Sequence, residues 1–140
     1  MTSIRFNPLS DLILLSMKVE GVDESDFRDV WVALDTGAST TSIPIRTALD
    51  LGYDPYHPKY HKEVITGTQV ENIPVIEVKK ITAIGQPLEN IDVLCHDLPQ
   101  ELRVDGVLGL NFLSKFNINI SFARGSIDIE PHDGYEWITF

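Results

Sequence analysis

Sulfur chemistry is nearly missing from this chain. Its one cysteine, Cys95, cannot close an internal disulfide, so the fold does not depend on oxidation. Cys95 ends the run Asp92-Val93-Leu94-Cys95, where a buried, unreactive thiol is expected. No stretch approaches the roughly 18 consecutive apolar residues of a membrane span. Leu12 to Leu15 is too short for a secretion-signal core, and Met1-Thr2-Ser3-Ile4-Arg5 lacks the charged-then-apolar order that precedes one. The reading is therefore a cytoplasmic chain without a membrane partner. Basic residues are scarce, 11 Lys and Arg against 21 Asp and Glu, and the net charge of -10 repels phosphate backbones. Nucleic acid is accordingly not expected as a partner. A glycine-rich phosphate loop, a Ser or Cys nucleophile motif, internal repeats and low-complexity segments are all absent. His57 and His61 have the spacing of metal ligands on a helix, but Pro55 and Pro58 make that segment a loop. His96 and His132 have no patterned partners, so neither a metal nor a cofactor is expected.

What remains is a sequence of ordinary globular composition, 43% apolar and 23% charged, long enough for one domain with its own core. Strand-like runs cover residues 11–19, 28–34, 40–43, 63–66, 69–70, 73–78, 81–84, 88–95, 107–109, 118–122 and 127–129, separated by turn residues. Short helices are expected over 45–51, after Pro44 and before Gly52, and over 110–116. Asp105-Gly106 reads as a turn, and residues 53–61 as a loop. Many short strands without alternating long helices predict an all-β domain spanning 1–140, with a core over about 12–130 and a tail over 131–140. The tail is too apolar for a solvated end, because it contains Tyr135, Trp137, Ile138 and Phe140.

The chemistry concentrates where the apolar run Val32-Ala33-Leu34 delivers Asp35-Thr36-Gly37-Ala38. The strand fixes the backbone, and Gly37 permits close approach of another chain. Burial and a second carboxylate nearby would each disfavour the charged form. Two such aspartates sharing a proton would let one act as base on a water while the other acts as acid on a carbonyl. That division of labour is a general lesson of the aspartic protease dyad. Alone, an Asp-Thr-Gly tripeptide is equally compatible with a turn aspartate after a strand.

Context adds a resemblance. Val32 to Thr41 resembles the active-site strand and loop of retropepsin-like aspartic proteases. About 70 residues later, Asp105-Gly106-Val107-Leu108-Gly109-Leu110-Asn111-Phe112-Leu113 resembles that family's second signature. The flanking stretches 88–98 and 118–129 look like those of bacterial and archaeal members. The resemblance implies a closed β-barrel or sandwich with one or two short helices. It implies Asp35 as the catalytic acid/base, Thr36 bracing two loops together, and Gly37 and Ala38 shaping the site. The hairpin around Thr66-Gly67-Thr68 stands where the family has its flap, and Val107-Leu108-Gly109 would pass beside the active-site loop.

There are departures too. Ser39 and Leu110 stand where retroviral members usually carry an acidic residue and an arginine, so the ion pairs that steady the retroviral dimer are not available in that form. With one Asp-Thr-Gly and no Asp-Ser-Gly, the chain holds half a site. The implied enzyme is a homodimeric endopeptidase acting on peptide or protein substrates; a catalytically inactive dimerisation or peptide-binding module is the alternative. Ile43, Ile65 and Val107 are candidate subsite residues, and the apolar tail residues are candidates for a dimer sheet or for packing on their own core. Alanine at 38 cannot hydrogen-bond the carboxylate as a serine would, so activity is expected to be less acid-shifted than in pepsin-like enzymes.

Overall fold

The computed structural model describes residues 1–136. Ten strands and two short helices run in the order β1 (Thr2–Arg5), β2 (Leu14–Glu20), β3 (Phe27–Leu34), β4 (Ser42–Ile43), α1 (Ile45–Asp50), β5 (Tyr60–Thr66), β6 (Gln69–Ala83), β7 (Gln86–Cys95), β8 (Gly106–Leu108), α2 (Leu110–Leu113), β9 (Phe116–Ser121) and β10 (Ser126–Pro131). The main sheet has the order β2-β3-β8-β4-β7-β6-β5, and β2 also pairs with β6. That extra pairing closes six strands into a barrel and leaves β5 outside it. Closure removes the sheet edges that would otherwise stand open.

The strand β6 explains how both happen. Its Gln69–Val75 half pairs with β5, its Val75–Ala83 part pairs with β7, and its last residues Ile81–Ala83 meet β2. The β5–β6 hairpin therefore overhangs a barrel that β2 seals below it. Three separate runs were expected here, 69–70, 73–78 and 81–84, broken at Glu71-Asn72 and at the lysines. The chain continues because the pairing with β7 keeps one register from Val75 to Ala83 and β2 pairs with Ile81–Ala83. Burial does not alternate strictly, since Glu77 and Lys79 are exposed whereas Ile81 and Ala83, of the same parity, are buried along with Val78. Lys80 reaches Glu20 at 3.4 Å.

The main core is a cluster of largely aliphatic side chains from β2, β3, β6, β7 and β10 together with Phe112 and Leu113 of α2, and a smaller cluster of Ile73, Val75 and Leu94 lies against Val64 of β5. Met17, Val19, Val32, Val78, Val93 and Leu108 are fully or almost fully inaccessible, so burial of apolar surface is the main stabilising term. Cys95 lies in this core, and burial pushes its thiol up to about 12.

A second sheet, β1-β10-β9, packs Ile127 and Ile129 onto the same core. Strand β1 has no counterpart in the sequence reading. Its partners are residues 126–129, at the far end of the chain. Other boundaries also differ: β5 starts at Tyr60, inside the expected loop, and α2 ends at Leu113 because Phe116 opens β9. The expected turn glycine, Gly106, is the first residue of β8. Among the described residues, no helix is long and apolar enough to cross a membrane.

Candidate active site

Strand β3 ends at Leu34, and Asp35 turns out of the barrel. Two parallel-paired strands hold it there: Val32, Ala33 and Leu34 lie opposite Gly106, Val107 and Leu108. The Asp35 N–H donates to the Leu108 carbonyl at 3.0 Å, so the last ladder bond falls on the aspartate itself. Beyond it, the Ala38 N–H donates to the Asp35 carbonyl at 3.2 Å, and the Gly37 N–H donates to Asp35 Oδ1 at 2.8 Å. Backbone and side chain of the aspartate thus close the same turn, an arrangement that short carboxylates favour. One carboxylate oxygen is fixed by Gly37. Within the single chain Asp35, Thr36 and Gly37 are exposed. The expectation of a buried carboxylate is therefore not met by one chain, since none of the described residues covers the end of β3.

The loop then returns beneath itself through buried Thr40, Thr41 and Ser42. Buried hydroxyls need partners, and the second signature supplies them. Asn111 Oδ1 accepts from both the Thr41 N–H and the Thr41 hydroxyl, each at 2.9 Å. Its Nδ2 donates to the Asp92 carbonyl at 2.7 Å. Thr41 Oγ1 accepts in turn from the Gly109 N–H at 3.1 Å, and Ser42 Oγ accepts from the Val107 N–H at 3.2 Å. Leu110 and Asn111 donate backbone N–H bonds to the Ala38 and Ser39 carbonyls at 2.8 and 3.1 Å. Asn111 is thus the knot joining the Asp35 loop, β7 and the start of α2. The sequence reading passed over it, because its partners lie 70 residues upstream and in another strand.

Glycines allow this crossing. A Cβ on Gly109 would lie 2.8 Å from the Thr40 carbonyl carbon and 2.9 Å from the Ala38 oxygen, both backbone atoms. One on Gly106 would run into the Ser42 carbonyl oxygen, closer still. Neither site has room for a methyl group.

Above the loop stands the β5–β6 hairpin. Thr66 pairs with Gln69, and Gly67 at its tip has φ +65° with nothing within 4 Å of a Cβ position. A glycine at the first central position of a two-residue turn suits the twist of a hairpin. Ile65 and Val70 face each other across it and are 76% and 64% exposed. Between hairpin and loop runs a groove of about 450 Å³, bordered by Gly37, Ala38, Val64, Ile65, Leu94 and Val107 among others. Of the three residues that the sequence reading offered as subsite candidates, Ile65 and Val107 border this groove. Ile43 does not: it is fully buried in the core, and its neighbour Ser42 borders the groove instead. Strand parity explains the difference, because adjacent residues face opposite sides. Val64, Leu94 and Leu98 were not foreseen as lining residues.

Lys62 was also unforeseen. It borders the groove from β5 and donates to Ser39 Oγ at 2.6 Å and Thr40 Oγ1 at 2.7 Å. Ser39 thus meets an ammonium from its own chain. Of the tail residues, Tyr135 is exposed, with its hydroxyl 3.5 Å from the Ser114 carbonyl, while Trp137, Ile138 and Phe140 lie outside the described residues. His57 bonds Asp54 Oδ2 at 2.8 Å, and that hydrogen bond holds the Asp54 carboxyl below its ordinary range. Among the described residues, no group of three or more His, Cys, Asp or Glu is placed to hold a metal ion.

A family model described as aspartyl protease matches residues 15–112, well over half of the chain. Among solved structures, the chain is similar to the crystal structure of a retropepsin-like aspartic protease from Rickettsia conorii. The TM-score is 0.65 at 20% identity, covering 89% of this chain and 86% of that one. At that identity the likeness bears on the fold. No curated protein matches the sequence. With the six-stranded barrel, the Asp-Thr-Gly turn and the family match in agreement, the chain belongs to the aspartyl protease family and carries the retropepsin-like fold.

Proposed function

We propose that this chain is one half of a homodimeric aspartic endopeptidase, in which Asp35 of each copy supplies one carboxylate of a shared catalytic pair. The observation that carries this reading is the state of Asp35. It is the one Asp-Thr-Gly aspartate of the sequence, held rigidly by its own turn, yet exposed at the end of β3 next to an open groove. A second copy related by a twofold axis would bury the two carboxylates against each other. Repulsion would keep them from ionising together, so one would hold a proton and the other would not. The ionised member would take a proton from water as that water attacks the peptide carbonyl. The protonated member would give its proton to the carbonyl oxygen. The β5–β6 hairpin would lie over an extended substrate and hydrogen-bond to its main chain, and Val64, Leu94 and Val107 would receive apolar side chains.

The test is Asp35→Asn. The wild-type protein is expected to cleave an unstructured peptide mixture and the variant to lose at least about a thousandfold of that activity, as expected when half of a concerted acid/base pair is removed. Cleavage retained by the variant would end this reading.

A further inference from the structure

The groove contains a charge that the general reaction does not need. Lys62 projects from β5 toward the Asp35 loop and is half-buried. An ammonium has three N–H donors and no acceptor. Two of the donors are used on the neutral hydroxyls of Ser39 and Thr40. Among the described residues no carboxylate lies within ion-pair distance of Lys62; Lys59, Lys80 and Arg46 have such partners, and the other basic side chains without one are exposed, whereas Lys62 is half-buried. Among the described residues nothing therefore neutralises this cation, although acidic side chains outnumber basic ones in the sequence by 21 to 11. Glu63 also borders the groove, but it is exposed and forms no ion pair with Lys62. His96 borders it as well.

We propose that Lys62 is a specificity-determining residue that pairs with an acidic side chain of the substrate, on the Ser39 side of the Asp35 loop. This rests on the reading of the groove as the substrate cleft. The two hydroxyls hold the ammonium in place beforehand, so little side-chain freedom remains to be lost on pairing. The third donor is available to a carboxylate, and a charge-assisted hydrogen bond in a cleft closed over by substrate is stronger than one on an open surface. A glutamine or asparagine of the substrate would accept the same bond without the charge. The chain's own net charge opposes an acidic peptide at a distance, but salt near 0.15 M screens that repulsion beyond about 8 Å, while Lys62 acts at contact.

The experiment digests a degenerate peptide library with the wild-type protein, Lys62→Met and Lys62→Arg at that salt, and reads the cleaved positions by mass spectrometry. Wild type is expected to enrich Glu and Asp over Gln and Asn about tenfold at one position near the scissile bond. Lys62→Met is expected to bring that ratio to about one, and Lys62→Arg to keep it, because the charge is retained. Enrichment that survives Lys62→Met, no acidic enrichment in the wild type, or basic residues enriched in its place would each overturn the proposal. If no protein cleaves anything, the endopeptidase reading has failed separately. Lys62 is then decided by fluorescence polarisation with a Glu-containing peptide and its Gln counterpart. Tighter binding of the Glu peptide that Lys62→Met abolishes upholds the assignment, and equal binding of the two peptides refutes it.

Discussion

The floor and the roof of the groove are built on opposite principles. Around Asp35 the floor is a knot in which three segments cross within backbone contact, joined by Thr41 and Asn111 and made possible by Gly106 and Gly109. The β5–β6 hairpin above has an exposed tip, apolar residues facing solvent and open space around Gly67. One region is over-determined and the other is free to change. The comparison teaches that the Asp35 turn is fixed by the fold, while the hairpin above the groove is left adaptable.

The strongest way to break this contrast is to put a side chain into the crossing. Gly109→Val drives methyl groups into the Thr40 and Ala38 backbone and is expected to cost more than about 3 kcal/mol, at the upper end of overpacking effects because backbone cannot yield. Chemical denaturation measures it; a loss under about 1 kcal/mol would mean the crossing is looser than described. Next comes Asn111→Ala. It strips partners from the Thr41 N–H, the Thr41 hydroxyl and the Asp92 carbonyl. A loss of about 2 kcal/mol is expected, with activity falling further than stability because the Asp35 loop loses its anchor. Unchanged denaturation and unchanged turnover together would remove Asn111 from the account.

Outside the groove, near the β2–β6 seam of the barrel, Tyr53 Oη donates to the Glu20 carbonyl at 2.7 Å and accepts from the Lys79 N–H at 3.1 Å. Burial, reinforced by the nearby Glu20 charge, pushes the phenol above its ordinary value of 10.0. A raised value in the folded state means that its contribution to stability is full below about pH 10 and is lost as the pH rises through the folded value. Denaturation midpoints of wild type and Tyr53→Phe should therefore converge above that pH, from a difference of about 1 kcal/mol at neutrality. A gap that stays constant into alkali would refute it. The smallest effect belongs to the roof. Ile65→Ser is expected to change stability by less than about 0.5 kcal/mol, as at exposed sites generally, while raising KM for peptides. A large stability loss would show the hairpin to be part of the core.

Much of the floor was legible in the sequence because its signal is local. An apolar run ending in Asp-Thr-Gly names both the strand and the turn, and Pro44 and Gly52 frame α1 closely. What stayed hidden depends on distant partners. Asp105-Gly106 carries the composition of a turn, and only the Ser42 carbonyl, brought in by folding, shows why glycine is required. Thr2 to Arg5 becomes a strand only because residues 126–129 offer an edge. Ile43 was assigned to the groove and lies in the core through a single step of strand parity. Lys62 gave no local sign at all, since its meaning comes from Ser39 and Thr40 across the groove.

Twofold assembly is the claim on which the chemistry turns, and mixing tests it most directly. Wild-type and Asp35→Asn chains are combined in equal amounts, allowed to exchange, and assayed against the same total concentration of wild type. If each site needs an Asp35 from both copies, random pairing leaves about a quarter of the dimers active, and activity should fall to about that fraction. Activity of one half would mean that each chain works alone, and would contradict the account.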